Sequence, residues 1–271
     1  MRVLVIGSNG MAGHMITKYL KLQGYDVDTA ARKDADITLN IEDTVSVTKF
    51  FDKLDKYDFI INAAGVLVQA SKDNPTRAII VNSWFPRYLE MKLRESPTRL
   101  IHLSTDCVFD GQQGSYYENN APTETNDYGR TKALGEVINN KDITFRMSII
   151  GPELKNGTGL LHWALNYKDK IIPGWVNSRW NGITTLQLAK CLDTYMINSS
   201  ATGLYHMVDN KVKTSKYELL CDINEVYGLG KTVSRDFGPK PVDKILVDTR
   251  RSIDLKIPNY KTQLQELKEF K

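Results

Sequence analysis

The chain opens with the apolar run Val3-Leu4-Val5-Ile6 and continues directly into Gly7-Ser8-Asn9-Gly10-Met11-Ala12-Gly13. An amphipathic segment follows, so the pattern is that of a strand, a tight turn and a helix. In such a unit Gly7 allows the turn, Gly10 lets backbone N–H groups approach a pyrophosphate, and Gly13 lets the helix pack closely on the sheet. The stretch predicts a dinucleotide-binding loop, with one residue more between the first two glycines than GxGxxG has. A purely structural turn is the alternative.

Short apolar runs alternate with helical patterns over the first 150 residues. The alternation predicts right-handed βαβ crossovers and a parallel sheet covered on both faces, which is a Rossmann-type, doubly wound α/β fold. The predicted strands are Arg2 to Ile6, Asp26 to Ala31, Phe59 to Asn62, Leu100 to Ser104 and Thr144 to Met147. The predicted helices lie near 11 to 23, 43 to 54, 76 to 95 and 127 to 140. Ligands of such sheets bind beyond the carboxyl ends of the strands, where Gly7, Ala63, Thr105 and Ser148 fall.

Residues 151–271 show a less regular pattern, which predicts a smaller, mainly substrate-binding lobe beside a dinucleotide-binding domain of residues 1–150. Turn-forming residues are frequent in 155–159 and 171–175. Helices are expected from about Thr185 to Met196 and from Ser215 to Tyr227, with a strand over Gly203 to Val208 between them. No clear linker separates the two halves, so the boundary is soft and allows later segments to return to the first domain.

The composition excludes several classes of protein. Hydrophobic residues make up 41% and charged residues 25% of the 271 residues, as in an ordinary soluble protein. The net charge of +4 arises from residues scattered along the chain, so neither a nucleic-acid nor a membrane surface is expected. Three widely spaced cysteines and four scattered histidines indicate neither a disulfide framework nor a metal site. Since no signal peptide or membrane-spanning stretch is recognisable, we expect a cytoplasmic protein.

The residues after the second predicted strand bear on the choice of dinucleotide. An acidic residue there would bind the ribose 2′-hydroxyl of NAD, whereas basic residues accept the 2′-phosphate of NADP. The sequence has Arg32 and Lys33 at this point, which favours NADPH. Two solvated basic side chains are the alternative. Asp28 or Asp34 would still serve a ribose hydroxyl, so the use of NADH stays open.

A second motif, Tyr128-Gly129-Arg130-Thr131-Lys132, opens the last predicted helix of this half. Its tyrosine and lysine lie one turn apart on the same face. A phenol with an ordinary pKa of about 10 is a poor acid or base at neutral pH, but a nearby ammonium stabilises the phenolate and lowers that pKa. Thr105, at the end of the fourth predicted strand, would hold a substrate oxygen against Tyr128. We therefore predict an acid–base site, with a surface helix pair as the alternative.

These features together resemble the extended short-chain dehydrogenase/reductase superfamily and, more closely, its dTDP-4-dehydrorhamnose reductase family. The segments that carry the resemblance extend over most of the chain. They are the glycine loop, Asn62-Ala63-Ala64-Gly65, Val81-Asn82, Ser104 to Gly111, Tyr128 to Lys132, Phe145 to Ser148 and Gly203 to His206.

The resemblance implies roles for individual residues. Thr105, Tyr128 and Lys132 would form the catalytic triad. The implied cofactor-binding residues are Gly7, Asn9, Gly10, Met11, Gly13, Arg32, Lys33, Asn40, Ile41, Ala63, Ala64, Gly65, Asn82, Tyr128 and Lys132. Among these, Asn40 and Ile41 would flank adenine, and Ala63 and Ala64 the nicotinamide ribose. The implied substrate is a nucleotide-linked 4-keto-6-deoxy sugar, and we expect Val66, Thr105, Asp106 and Cys107 to contact it. Trp180 either stacks on the nucleobase or sugar or belongs to the small lobe itself.

The segment Ser104 to Gly111 helps to distinguish between a dehydratase and a reductase. Related nucleotide-sugar dehydratases place Asp-Glu after the threonine, because the elimination of water needs two carboxyl groups beside the substrate. This chain has Asp106-Cys107, which argues against a 4,6-dehydratase and favours a reductase. Cys107 stands where the resembled family usually has tyrosine, and Met147 stands where it usually has threonine. A UDP-linked 2-acetamido-4-keto-6-deoxyhexose therefore competes with a dTDP-linked sugar as the substrate.

The predicted function is the NADPH-dependent reduction of such a nucleotide sugar, in deoxysugar biosynthesis for cell-surface polysaccharide. Two alternatives stay open. One is a non-catalytic, NADP-binding regulatory subunit, since the β subunit of methionine adenosyltransferase resembles the same family. The other is a nucleotide-sugar epimerase. The sequence leaves the oligomeric state open, a homodimer included.

Overall fold

The computed structural model describes residues 1–51, 57–154, 157–238, 240–250 and 253–270. The strands in chain order are β1 (Arg2–Ile6), β2 (Asp26–Ala31), β3 (Ile37–Thr38), β4 (Phe59–Asn62), β5 (Arg99–Leu103), β6 (Ile143–Arg146), β7 (Ile149–Ile150), β8 (Ile171–Trp175), β9 (Ser178–Trp180), β10 (Ile183–Thr184), β11 (Gly203–His206), β12 (Thr214–Ser215), β13 (Thr232–Asp236) and β14 (Val242–Asp243). The helices are α1 (Met11–Leu22), α2 (Thr44–Phe51), α3 (Val68–Asp73), α4 (Pro75–Ala78), α5 (Phe85–Leu93), α6 (Asp127–Leu134), α7 (Leu160–Asn166), α8 (Thr185–Asn198), α9 (Lys216–Tyr227) and α10 (Tyr260–Glu269).

The central sheet has seven strands in the order β3-β2-β1-β4-β5-β6-β11, and all neighbours are parallel. Helices flank the sheet, and the buried residues of the strands belong to two apolar clusters. Val3 and Val5 of β1 contribute to one cluster, and Leu4 and Ile6 to the other, because successive side chains of a strand point to opposite faces. This arrangement confirms the predicted Rossmann-type fold.

The predicted strands β1, β2 and β4 have the expected bounds, and β5 and β6 begin and end one residue earlier than expected. The two-residue strand β3 was not predicted. The helix α2 ends at Phe51, and the last predicted residues of this helix, 52–54, lie outside the described residues. Residues 155–156 of the predicted turn over 155–159 lie outside them as well.

The helix predicted near 76 to 95 is divided into α4, a π-helical segment over Ile79–Trp84, and α5. Pro86 lies in the first turn of α5, and proline cannot donate the hydrogen bond that a continuous helix requires. The backbone carbonyl of Asn82 lies so close to Gly135 that a Cβ atom there would be 1.9 Å from the oxygen. At Gly135 α6 ends, although the prediction continued to residue 140.

The second half of the chain contributes to two regions. Strand β11 lies at the edge of the central sheet, and α8 packs against α1, so these segments join the first half. Another apolar cluster includes Leu186 of α8, Leu219 of α9 and Leu264 of α10. The division at residue 150 stays a prediction. Among the residues described, none of the helices has the length and apolarity that a membrane crossing requires.

Candidate active site

The glycine loop is held tightly between β1, β4 and α1. Gly7 has a φ of +80°, and its N–H donates to the carbonyl of Ala30 over 2.8 Å. A Cβ atom on Gly7 would lie 2.7 Å from the nitrogen of Ala64, and one on Gly13 would lie 2.2 Å from the carbonyl oxygen of Gly7. Because these neighbours are backbone atoms that cannot rotate away, the loop accepts only glycine at both positions.

A cavity of about 620 Å³ lies at the carboxyl ends of β1, β2 and β4. Its lining includes ten predicted binding residues: Gly7, Asn9, Gly10, Arg32, Lys33, Ile41, Ala63, Ala64, Gly65 and Val66. Gly10 is the N-cap of α1 and supplies no side-chain acceptor, so N–H groups of the first helical turn are free for an anion. The cavity therefore fits a dinucleotide: N–H donors for its pyrophosphate and two cationic side chains after β2.

The lining also contains six residues that sequence reasoning missed: Ile6, Ala30, Ala31, Leu39, Arg77 and Val81. The first three are the ends of the predicted strands, so the strand pattern itself could have found them. Leu39 follows the unpredicted β3. Arg77 and Val81 lie one helical turn apart in a segment whose apolar pattern gives no sign of a ligand.

Six predicted cofactor residues do not line the cavity, and two of them, Tyr128 and Lys132, belong to the second motif described below. Met11 and Gly13 belong to α1, behind the loop. Asn40 is exposed, and its side-chain Oδ1 accepts a hydrogen bond from the N–H of Glu42 over 3.3 Å. Asn82 is fully buried; its side-chain amide bonds to both backbone groups of Val66, at 2.8 and 3.0 Å.

Asn82 also connects the cavity to the second motif. Its Nδ2 donates to the Thr131 hydroxyl over 3.1 Å, and the neighbouring Ser83 hydroxyl donates to the Thr131 carbonyl over 2.7 Å. These bonds fix the segment at Val66 relative to α6. The hydrogen bonds of Asn82 thus hold the cavity segment at Val66 and the helix α6 in fixed positions relative to each other.

The three predicted catalytic residues meet beyond the carboxyl end of β5. Thr105 is 8% exposed, its hydroxyl accepts a hydrogen bond from the N–H of Cys107 over 3.1 Å, and its side chain lies near enough to the phenol of Tyr128 to lower the pKa of that group. Lys132 lies one turn after Tyr128 on α6 and is 4% exposed; its Nζ donates to the carbonyl of Leu103 over 2.7 Å. The side chains predicted from two separate motifs are therefore neighbours.

The electrostatics of this group differ from the expectation. Burial raises the pKa of the Tyr128 phenol, and Cys107 and Asp106 add to the increase, while the bond to Thr105 opposes it. Burial lowers the pKa of Lys132 to about 8, against the attraction of Glu136. We expected Lys132 to lower the pKa of Tyr128, but its ammonium is directed to the Leu103 carbonyl. The phenol therefore stays protonated at neutral pH.

On the predicted substrate side of the site, Asp106 and Cys107, which the sequence indicated, lie near Lys244 and Glu124, which it did not reveal. Asp106 is 4% exposed, and burial raises its pKa against the opposing charge of Lys244. Lys244 also lies 3.5 Å from a carboxylate oxygen of Glu124. Burial raises the pKa of the neighbouring Cys107 thiol to about 12, which keeps it neutral. No sequence motif joins Lys244 to Glu124, because they are far apart in the chain.

Trp180 lies away from these groups. Its side chain is 6% exposed and stacks on Tyr260, with ring centroids 5.6 Å apart and an interplanar angle of 28°. Both rings belong to the apolar cluster of the second half. This packing favours the second of its two predicted roles, as part of the small lobe.

A buried ion pair lies below the catalytic group. Arg146 and Glu136 share two hydrogen bonds of 2.7 Å, and their side chains are 2% and 4% exposed. The Ser104 hydroxyl donates to the same carboxylate over 2.7 Å. The pair thus fixes the end of β5 just before Thr105.

Within the described part of the chain, no group of three or more histidine, cysteine or acidic side chains has the geometry of a metal site.

Residues 1–151 match the family described as the RmlD substrate binding domain. The chain belongs to this family. A relative, the dTDP-4-dehydrorhamnose reductase of Burkholderia thailandensis, is 30% identical over 228 residues, which cover 76% of this chain and 72% of the relative. A probable low-salt glycan biosynthesis reductase of Haloferax volcanii is 33% identical over 143 residues, or 50% of this chain and 48% of that protein. The chain thus spans about half the length of some curated relatives it matches.

A solved structure supports the fold assignment. The dTDP-4-dehydrorhamnose reductase of Bacillus anthracis, in complex with NADP, superposes with a TM-score of 0.82 at 22% sequence identity. The superposition covers 98% of this chain and 98% of that one. The RmlD-family fold therefore extends beyond the segment that the family model matches.

Proposed function

We propose that the protein is an NADPH-dependent reductase of a nucleotide-linked 4-keto-6-deoxy sugar. The observation that carries this proposal is the cluster of Thr105, Tyr128 and Lys132 beside a glycine-lined cavity. An acid–base group next to a dinucleotide cavity is what the reduction of a carbonyl needs. Membership in a family with named sugar reductases favours the same function.

The residues around the cavity have distinct tasks in this proposal. The N-terminus of α1 and the glycine loop bind the pyrophosphate, and Arg32 and Lys33 bind the 2′-phosphate. Ala63 and Ala64 line the nicotinamide ribose. NADPH, when bound, supplies the hydride. Among the described residues, none of those that line the cavity at the end of β2 is acidic, which favours NADPH over NADH.

The chemistry of the chain's own residues is a proton transfer. Tyr128, protonated at neutral pH because its pKa is raised, donates its proton to the carbonyl oxygen as negative charge develops there. The Thr105 hydroxyl holds that oxygen by a hydrogen bond. Lys132, with a pKa of about 8, is predominantly charged at neutral pH, and its Nζ donates to the carbonyl of Leu103. Its task in this proposal is to orient the nicotinamide ribose.

The residues after Thr105 support the choice of a reductase over a dehydratase. Asp106 is the only acidic residue of the Asp106-Cys107 pair, so the two carboxyl groups of a 4,6-dehydratase are missing at this point. A reductase in deoxysugar biosynthesis for cell-surface polysaccharide is the proposed role, with a dTDP- or UDP-linked sugar as substrate.

The homodimer and the cytoplasmic location stay predictions.

The test is the loss of NADPH absorbance with dTDP-4-keto-6-deoxyhexoses and with UDP-2-acetamido-4-keto-6-deoxyhexoses, each made in situ. Tyr128→Phe should lower kcat about 100-fold or more and leave the Kd of NADPH unchanged, because the phenol oxygen alone is lost. Tyr117→Phe, which removes the hydroxyl of an exposed tyrosine 44% accessible to solvent, is the matched control. Full activity of Tyr128→Phe would refute the assignment. A wild type that binds NADPH but consumes none with either sugar would favour the epimerase or the binding subunit.

A further inference from the structure

Arg77 is the charged residue of the cavity that neither the glycine loop nor the Arg32-Lys33 pair accounts for. It lies on α4, where its backbone N–H donates to the Asn74 side chain over 3.0 Å. Its guanidinium Nε lies 2.9 Å from a carboxylate oxygen of Glu42, and the two side chains are 30% and 35% exposed. Both the backbone and the head group of Arg77 are therefore fixed at the cavity wall.

Glu42 is itself held in position. Its N–H donates to the side chain of Asn40, in the turn that leads from β3 to α2. The adjacent Ile41 lines the cavity together with Leu39 and Val81. The ion pair of Glu42 and Arg77 thus joins two chain segments at the apolar end of the cavity.

The pairing determines what Arg77 can bind. A carboxylate at 2.9 Å offsets the charge of the guanidinium and would repel a phosphate dianion approaching the same group. The guanidinium keeps its planar face, which packs favourably on aromatic rings. The lining of the same cavity includes the aliphatic side chains of Leu39, Ile41 and Val81. This lining suits an uncharged, flat heterocycle, whereas the cations for a phosphate are Arg32 and Lys33 after β2, which form no ion pair with any of the described residues.

We propose that Arg77, held by Glu42, forms one wall of the adenine slot and packs its guanidinium face on the purine. The inference rests on the proposed function, because it takes the ligand to be a nicotinamide dinucleotide. In this arrangement Arg77 contributes to the binding of NADH and NADPH alike. The choice between the two dinucleotides belongs to Arg32 and Lys33.

The experiment is a fluorescence titration of the full chain with NADPH and with NADH, without sugar substrate. Arg77→Ala should raise the Kd of both dinucleotides by the same factor, about 5- to 10-fold, and Arg77→Lys should do nearly the same because the planar group is lost. Arg32→Ala should raise the Kd of NADPH alone. Arg94→Ala, at an exposed arginine outside the cavity lining, should change neither.

The outcomes separate this inference from the proposed function. An increase in Kd for NADPH but not NADH in Arg77→Ala, rescued by Arg77→Lys, would make Arg77 a phosphate ligand and overturn the proposal. Unchanged binding of both dinucleotides would overturn it as well, with the reductase assignment intact. If the wild type bound neither dinucleotide, the proposed function and this inference would both fail. Equal melting temperatures of the variants exclude unfolding as the cause of weaker binding.

Discussion

The cavity predicted to hold the cofactor and the predicted substrate side of the site are built in different ways. The cavity takes its shape from backbone: Gly7 turns the chain at a φ of +80°, and Gly13 packs on the carbonyl of Gly7. The substrate side depends on charged side chains. Asp106, Glu124 and Lys244 come from separate segments of the chain and interact there. The first region depends on the absence of Cβ atoms, and the second depends on the pairing of charges.

The pairing on the substrate side requires a long-range connection. Tyr116 exchanges backbone hydrogen bonds with Ile245 and Val247, at 2.9 and 2.8 Å, and this bridge brings Lys244 beside Glu124. A local backbone turn can be recognised from a few neighbouring residues. A charge pair between distant segments cannot, because either residue alone has the appearance of an ordinary surface charge.

The largest effect should come from the buried ion pair below the catalytic group. Glu136→Gln leaves Arg146 with an uncompensated charge in the interior, and we expect the free energy of unfolding to fall by about 3–5 kcal/mol. Urea denaturation measures this change. The double variant Glu136→Leu/Arg146→Met removes both charges and should recover most of the loss. A single variant as stable as the wild type would show that charge pairing does not govern this region.

Features that depend on local sequence could be predicted, whereas features that depend on contacts between distant segments could not. The bounds of β1, β2 and β4 and the glycine loop were predicted because strand patterns and turn chemistry are local. Thr105 was expected at the ligand-binding edge because the carboxyl ends of parallel strands meet there, and the family resemblance implied that Tyr128 and Lys132 join it.

The unpredicted features depend on tertiary contacts. The π-helical segment over Ile79–Trp84 lies directly before the helix that contains Pro86, and its Asn82 carbonyl lies against Gly135 of a distant segment. Arg77 lines the cavity and pairs there with Glu42, a residue that is distant in the sequence. The edge position of β11 depends on β6, which precedes it by more than fifty residues. The catalytic and binding roles of the site residues stay predictions.

The backbone-built region should respond to a single methyl group. Gly13→Ala places a Cβ atom 2.2 Å from the Gly7 oxygen, and we expect a loss of about 2–3 kcal/mol because α1 must shift away from the loop. Gly10→Ala is the matched control, since its Cβ atom would lie 3.3 Å from the same oxygen. Thermal unfolding of both variants measures the difference. Equal stability of the two variants would mean that the close packing of Gly13 on Gly7 does not contribute to stability.

Lys132 stands where the two regions meet, and its burial predicts a dependence of stability on pH. The pKa of the lysine falls from 10.5 in the unfolded chain to about 8 in the folded protein. Below pH 8 both states bind the proton, so the folded state bears the full unfavourable energy of a buried charge. Between about pH 8 and 10.5 only the unfolded state binds it, so this group makes the wild type more stable as the pH rises.

Lys132→Met removes the buried charge and should abolish this dependence together with most turnover. At pH 7 the variant gains part of the roughly 3 kcal/mol that the pKa shift represents and loses the hydrogen bond to Leu103, so we expect a net gain of about 1 kcal/mol. That gain should shrink and then reverse between pH 8 and 10, as measured by urea denaturation. Lys72→Met, at an exposed lysine of α3, is the control for the loss of one charge. A difference between Lys132→Met and the wild type that stayed constant over this range would mean that Lys132 keeps its proton, and that its ammonium is stabilised within the site rather than destabilised by burial.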